Sequence, residues 1–311
     1  MVGLLIAFVV IGLSGDLQPA QEPKSPAPAI AVAAPGVTQE LELKDGTRAI
    51  GRVESVQNGR MSFRTSAGVV MDVEVALIRA VKPMTGTVVN GEFYPADPNP
   101  TRLFFAPTGR SLKKGEAYFG VYEIMLPFVQ VGVTDRLSIG GGTPLFFGSG
   151  SGQPFWFTPK FQVAKSGSIE ASIGVLHFAN LGDASVGITY AVVTAGTSDN
   201  ASTIGVGYAY ASEDEDRAGS AVVMIGGERR VSKRLKLVSE NYWFGGAGGV
   251  ALLSGGVRFM GERLSADLGL VSPLTGEGFF VFPMINFVWK IRCVISRPRS
   301  RALGWCACGH E

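Results

Sequence analysis

The sequence predicts an all-β protein, an antiparallel up-and-down transmembrane β-barrel of about 12 strands that follows a small β-domain. Three observations predict this fold. From about residue 116 to 291, segments of roughly nine to eleven residues alternate apolar with small or polar side chains. The connections between these segments alternate between tight turns and longer loops. Glycine contributes 42 of 311 residues, nearly double the usual share of about 7%.

The first twenty residues are predicted to be a secretory signal peptide. An apolar run extends from residue 2 to 13, and small and polar residues follow it, with cleavage after Gly15 or Ala20. No Lys or Arg precedes the run, and a membrane-anchoring helix is the alternative interpretation. Residues 21–37 are rich in proline and alanine and are predicted to be a disordered linker.

Residues 38–82 are predicted to form a small periplasmic β-domain of the SH3-like or Sm-like class. The dipeptides Asp45-Gly46 and Asn58-Gly59 are typical of tight turns, because these residues tolerate positive backbone angles. The segment 43–51 is similar to the first hairpin of such small barrels. Five short strands are predicted in this region: 41–43, 47–56, 60–65, 69–74 and 76–81.

Residues 83–115 are predicted to connect the small domain to the barrel. Within them, the stretch Thr101-Arg-Leu-Phe-Phe-Ala-Pro-Thr-Gly-Arg110 resembles a family of uncharacterised bacterial outer-membrane β-barrel proteins, in which a similar stretch leads into the first barrel strand. The likeness extends to about residue 291 and implies the barrel fold without any known activity. Arg102 and Arg110 flank an apolar patch. This patch either plugs the barrel mouth or belongs to an ordered linker with solvated arginines.

The barrel, residues 116–291, is predicted to turn one apolar face of each strand toward lipid. In the segment 155–163, Phe, Pro or Val occupies every second position, and Trp156, Thr158, Lys160 and Gln162 lie between them. A soluble sandwich would carry charge on its second face, where these strands have mainly Gly, Ala, Ser and Thr. Three further outward rows are predicted: Val186, Ile188, Tyr190 and Val192; Ile204, Val206, Tyr208 and Tyr210; Leu264, Ala266, Leu268 and Leu270.

The connections predict which end of the barrel faces which side of the membrane. Short periplasmic turns and longer external loops are typical of outer-membrane barrels. A barrel with an even number of strands begins and ends at the same side, which here is the side of the short turns. The small domain is therefore expected in the periplasm. The tight turns lie near 134–136, 164–167, 196–199, 232–234 and 261–263, and the longer loops near 146–154, 180–183, 213–219, 245–249 and 272–278.

The closing strand and the residues after it differ sharply in composition. Residues 292–311 contain all three cysteines, and we interpret them as a disordered, atypical tail produced by readthrough or a frameshift. The alternative is a metal site of Cys306, Cys308 and His310, which offers few ligands. The strand itself has an outward row like those that barrel-assembly machinery recognises: Ile285, Phe287, Trp289 and Ile291.

The charges predicted to face the lumen are balanced in sign, with four cations and four anions. They give no selectivity for an anion or a cation. Most lie near the short-turn end, where opposite charges on adjacent strands can pair. We interpret them as a charge belt, structural or pore-lining, that braces or narrows the lower lumen. The charge belt consists of Lys160, Glu170, Glu228, Arg230, Lys236, Glu240, Arg258 and Asp267.

No catalytic group of residues is predicted. His177 is the only histidine of the barrel and falls on its outer or interfacial face, and Ser168 and Ser172 form no recognisable motif with it. The glycine runs at 140–142 and 226–227 open no helix, so they are not phosphate loops and instead fit a crowded inner wall. No catalytic residue, cofactor or metal site is expected.

The expected function is that of a non-enzymatic, porin-like protein of a Gram-negative outer membrane, either a narrow pore for small solutes or a structural scaffold. The alternative is a membrane-anchored binding module whose small domain docks a periplasmic protein or peptidoglycan. The other expected partners are outer-membrane lipid, lipopolysaccharide and the barrel-assembly machinery. A net charge of +2 gives no reason to expect nucleic acid.

Overall fold

The computed structural model describes residues 37–145, 152–182, 184–213, 216–246, 249–275 and 278–292. These residues form strands and one short 3₁₀ turn, Val75–Leu77, and they contain no α-helix. Accordingly, this part of the chain has no apolar helix of membrane-spanning length. The predicted signal peptide, nearly all of the linker, and the cysteines and histidine of the tail lie outside the described residues.

The small N-terminal sheet has five antiparallel strands in the order β4-β3-β2-β1-β5. Both predicted turn dipeptides are in place, since Gly46 and Asn58 have φ angles of 89° and 48°. The side chains of Leu41, Met61 and Phe63 form the core of the sheet. Its strands are β1 (Thr38–Leu43), β2 (Arg48–Gln57), β3 (Arg60–Thr65), β4 (Val70–Glu74) and β5 (Ile78–Met84).

A separate hairpin follows, formed by β6 (Gly86–Val89) and β7 (Glu92–Pro95). Asn90 and Gly91 connect its strands, and both have positive φ angles, of 50° and 79°, as the favoured two-residue hairpin turns require. After the hairpin, residues 97–112 enter the barrel. We call residues 97–112 the plug.

The barrel is a closed antiparallel sheet of twelve strands, and the predicted fold class is confirmed. Its last segment, β21, pairs with its first, β8, and thereby closes the wall. The fourteen segments give twelve strands because β11 and β12 share one position and β20 and β21 another. The segments are β8 (Glu116–Tyr122), β9 (Leu126–Gly132), β10 (Leu137–Gly142), β11 (Phe155–Phe157), β12 (Lys160–Ser166), β13 (Ile169–Leu181), β14 (Ala184–Thr197), β15 (Asn200–Glu213), β16 (Asp216–Ser232), β17 (Leu235–Phe244), β18 (Val250–Met260), β19 (Leu264–Thr275), β20 (Gly278–Phe279) and β21 (Phe282–Arg292).

The outer wall is apolar and exposed, as expected for a surface that meets hydrocarbon. Ile204 on β15, Leu270 on β19 and Trp289 on β21 are 56%, 57% and 49% exposed. Monomeric soluble proteins rarely expose apolar surface that continues around a whole sheet. The predicted outward rows on β12, β15, β19 and β21 therefore agree with the structure.

The predicted outward row on β14 is wrong. Val192 is 2% exposed and faces the lumen, whereas Val193 is 47% exposed and faces outward. The side chains that share the face of Val192, including Ile188 and Tyr190, consequently point inward. The reason is that the lumen here contains apolar residues of the plug, because Val192 packs in one cluster with Leu103 and Phe104.

Candidate functional site: the plugged lumen

The plug is a tight hairpin buried inside the barrel. The N–H of Leu103 donates to the carbonyl of Ala106 at 2.9 Å, and the N–H of Thr108 donates to that of Thr101 at 3.0 Å. Leu103, Phe104 and Thr108 have no exposed surface. Gly226 on β16 makes room for the plug, since a Cβ at this glycine would lie 2.4 Å from Leu103 Cδ1. The apolar patch thus plugs the lumen, and the alternative of a linker with solvated arginines is wrong.

A buried chain of ion pairs joins the start of the plug to the wall. Asp97 accepts hydrogen bonds from Lys236 Nζ at 2.5 Å and from Arg258 Nη1 at 3.2 Å. Lys236 also contacts Glu228 at 2.6 Å, and Arg258 contacts Asp267 at 2.7 Å. Burial alone would raise the pKa of Asp97, but the charges of Arg258 and Lys236 hold this pKa below its ordinary value.

Glu240 binds the tip of the plug. Its Oε2 accepts three consecutive backbone N–H groups, from Phe104 at 2.8 Å, Phe105 at 3.0 Å and Ala106 at 2.9 Å. Its Oε1 accepts the hydroxyl of Tyr242 at 2.7 Å. Successive N–H groups that converge on one carboxylate form an anion-binding nest, and charged acceptors make the stronger hydrogen bonds. The wall therefore fixes the plug backbone independently of its side chains.

Lys160 and the polar residues near it bind backbone carbonyls on both arms of the plug hairpin. Lys160 Nζ donates to the carbonyls of Thr101, Thr108 and Arg110 at 3.2, 3.3 and 2.6 Å. The carbonyl of Gly109 accepts from Gln162 at 2.9 Å and from Ser172 at 2.8 Å. These contacts and those of Glu240 satisfy plug backbone groups that would otherwise be buried without partners.

Gly109 lies where the plug comes closest to the wall. Its N–H donates to Thr194 Oγ1 at 2.8 Å, and a Cβ at this position would be only 2.0 Å from the carbonyl oxygen of Glu170. Only glycine fits here, because the obstacle is backbone of the wall and cannot rotate away.

The two plug arginines have separate partners in the lumen. Arg102 donates to the Tyr118 hydroxyl at 2.8 Å and to Gln130 Oε1 at 2.5 Å. Arg110 donates to Glu228 Oε1 at 2.5 Å, and its Nε lies 3.9 Å from Glu170 Oε2. Each guanidinium thus binds the plug to side chains of the barrel wall.

The structure brings the predicted charge belt together around the plug. Seven of its eight side chains are buried in the lumen, and Arg230 lies at the short-turn rim, where it contacts Asp199 at 2.7 Å and the carbonyl of Pro95 at 2.9 Å. Two of the belt pairs join neighbouring strands, Lys236 with Glu228 at 2.6 Å and Arg258 with Asp267 at 2.7 Å. The plug supplies further partners that the sequence did not predict. Sequence reasoning missed Asp97, because a proline-rich context is typical of an exposed turn. The other seven are Lys160, Glu170, Glu228, Lys236, Glu240, Arg258 and Asp267.

Among the described residues, His177 contacts aromatic side chains. Its Nδ1 lies 2.9 Å from the hydroxyl of Tyr210, and its ring contacts Phe157, an outward residue, at 5.2 Å. Ser172 faces the lumen and bonds the plug instead. The described part of the chain also contains no cluster of three metal-binding side chains.

Comparisons with known proteins find similar folds among outer-membrane barrels. No protein-family model and no curated protein sequence matches this chain. A solved KdgM porin is 5% identical over 56% of this chain and 96% of its own, with a TM-score of 0.42. A loop deletion mutant of OmpT, an outer membrane protein of Vibrio cholerae, is 13% identical over 82% of this chain and 96% of its own, with a TM-score of 0.37.

Proposed function

We propose that this protein is a non-enzymatic outer-membrane scaffold, closed by its own plug, that anchors the small β-domain in the periplasm. The observation that carries the proposal is the burial of residues 97–112 in the lumen, with their charges and backbone groups bonded to the wall. We place the small domain at residues 38–82, the connector at 83–115 and the barrel at 116–291. The connector consists of the hairpin and the plug.

The ion pairs of the plug favour a closed barrel over an open pore. Withdrawal of the plug would separate Asp97 from Lys236 and Arg258, and Arg110 from Glu228. Removing one partner of a buried pair costs about 3–5 kcal/mol. Two states that exchange readily differ by only a few kcal/mol. Several such pairs therefore keep the plug in place, although water entering an open lumen would offset part of the cost.

The contacts at the short-turn end support a periplasmic small domain. Lys233, in the turn between β16 and β17, lies 3.0 Å from Glu92 of the hairpin, and Arg230 bonds Pro95. The chain therefore leaves the barrel at the end with the short turns, which face the periplasm in outer-membrane barrels. The sheet order and the 3₁₀ turn before β5 fit an SH3-like class.

The small domain and the hairpin strand β6 together form a groove for a periplasmic partner. The groove has a volume of about 540 Å³, and Arg52, Arg64 and Thr87 line it. Arg64 pairs with Glu54, whereas Arg52 forms no salt bridge within the described part of the chain. A free guanidinium suits a carboxylate-bearing partner, and peptidoglycan is one. Lipid and lipopolysaccharide would contact the outer wall, and assembly machinery would recognise β21.

Two measurements on the full chain test this function. In planar bilayers the purified protein is expected to give no steady conductance, and an ohmic current from the wild-type chain would refute the closed scaffold. In sedimentation with peptidoglycan sacculi, Arg52→Glu is expected to reduce binding, while Arg136→Glu in the turn after β9 is expected to leave it unchanged. Equal binding by both variants and the wild type would refute docking through this groove.

A narrow pore is the second candidate, and one feature of the plug surroundings favours it. The side-chain amides of Asn99 and Asn286 and the hydroxyl of Ser265 are buried, and they make no hydrogen bond to any described residue. Buried polar groups normally have partners, ordered water included. A hydrated path past the plug would carry only very small solutes, and a weak steady conductance would support it.

A further inference from the structure

We propose that the outer half of the lumen binds a small uncharged apolar molecule, such as an aromatic ring or a short hydrocarbon chain. This inference goes beyond the scaffold function, because it assigns a ligand site between the plug tip and the long-loop end. It stands on the shape of that space, on the side chains around it and on the hydrogen bonding of the polar groups beside it.

The site has an inner chamber of about 100 Å³ directly against the plug. Phe105, Ala106 and Pro107 of the plug line one side of the chamber, and Ile188, Val192 and Met224 of the wall line the other. An apolar cavity of about 150 Å³ stays dry and binds benzene. The chamber is smaller than that cavity, so by itself it accepts a few methylene groups, and a ring also occupies the space that opens from it. Both spaces exclude a peptide or a sugar chain.

The inner chamber opens into a wider vestibule toward the long-loop end. The vestibule has a volume of about 540 Å³, and Phe178, Val186 and Phe244 are among its walls. Leu176, Ile188 and Tyr242 line both spaces, so the two form one continuous path. A ligand that enters at the loops thus meets mainly apolar side chains on its way to the plug, and the hydroxyl of Ser220 on this path donates to the carbonyl of Gly245.

The charged groups next to the chamber are already engaged. Arg102 is bonded to Tyr118 and Gln130, and Glu240 is bonded to the plug backbone and to Tyr242. A charged ligand would need one of these groups to release its partner. An apolar ligand needs only burial, which stabilises it by about 25 cal/mol per Å² of buried apolar surface.

The outer part of β14 also supports an apolar site. Outer-membrane barrels normally turn polar residues inward and large apolar residues toward lipid. On β14 the large residues, Ile188, Tyr190 and Val192, face inward, while small Thr189 and Ala191 face lipid. Val192 belongs to the plug cluster and Tyr190 packs against it, whereas Ile188 lines both the chamber and the vestibule. The inward side chains of Ile188 and Val186 thus shape a space that extends beyond the plug.

The test uses methyl NMR of the full chain, labelled with ¹³C-methyl methionine and purified in detergent, with toluene as the probe. The Met224 signal is expected to shift saturably as toluene is added. Met125 is exposed in the turn before β9. Its signal reports the partitioning of toluene into the micelle, and this shift is expected to grow without saturation. Linear shifts of both signals, with no saturable component at Met224, would overturn the proposal.

A matched pair of variants places the site in the chamber. Ile188→Trp fills the space, and Ile204→Trp puts the same side chain on the lipid face of β15. Ile188→Trp is expected to weaken toluene binding at least roughly ten-fold, equivalent to about 1.4 kcal/mol, and Ile204→Trp is expected to leave it unchanged. Unchanged binding in both variants would contradict the site. Val222→Phe, which fills the chamber from β16, replaces Ile188→Trp if that barrel does not fold.

Discussion

The substitution Gly109→Ala is the sharpest perturbation of the plug, because it adds one methyl group and changes no charge. The new Cβ would lie 2.0 Å from the carbonyl oxygen of Glu170, so the plug must move away from the wall. The movement breaks three hydrogen bonds of Gly109, to Thr194, Gln162 and Ser172. At about 1 kcal/mol each, their loss raises the population of the released plug roughly 100-fold.

Trypsin digestion followed by mass spectrometry measures this release. Arg102 and Arg110 are each only 9% exposed, so the wild-type plug is expected to resist cleavage at both. In Gly109→Ala we expect cleavage after Arg110 while the barrel keeps its heat-modifiable migration in gels. Gly255→Ala on β18 is the control, since a Cβ there meets no atom closer than 4.0 Å. Equal resistance in Gly109→Ala and Gly255→Ala would refute the proposed role of Gly109.

Three further outcomes are expected. Arg258→Met leaves Asp97 and Asp267 without their shared cation. It should lower the free energy of unfolding by about 3–5 kcal/mol, measured by urea unfolding that is followed by gel migration. The pKa of Asp97 is lowered in the fold, so the ionised carboxylate stabilises the fold at pH values above its unfolded pKa of about 3.9. This contribution is lost as the pH falls through the folded pKa. The urea midpoint should therefore drop on acidification, and it should drop less in Asp97→Asn. Gly51→Ala places a Cβ 2.0 Å from the Arg64 carbonyl oxygen, and should unfold the small sheet, measured by proteolysis, without changing barrel migration.

The strands and their lipid-facing sides were predictable from the sequence because both depend on local alternation. An outward position needs only an apolar side chain at every second residue, as at Ile204, Val206 and Tyr208. On β14 both faces suit apolar residues, since one meets lipid and the other meets the plug and the chamber. Local periodicity cannot distinguish these two environments, and the face of Val192 was therefore assigned wrongly.

The contents of the lumen could be predicted only in part. The inward charges follow from strand parity, and their burial agrees with that parity. The pairs between adjacent strands also follow, such as Arg258 with Asp267. The plug partners do not follow, because the plug reaches the belt across long sequence separations, such as the 136 positions between Phe104 and Glu240. Arg102 and Arg110 left two interpretations open, and only tertiary contacts with Gln130 and Glu228 distinguish a plug from a solvated linker.

Thiol labelling tests most directly whether the plug occupies the lumen. The chain carries cysteines only at 293, 306 and 308, and replacing these with serine leaves a silent background. Thr108→Cys, at a position with no exposed surface, is compared with Thr87→Cys on the exposed hairpin strand β6. With a membrane-impermeant maleimide on the folded protein, we predict rapid labelling at position 87 and none at position 108 until the barrel is unfolded. Equal labelling rates at both positions in the folded barrel would contradict a plugged lumen.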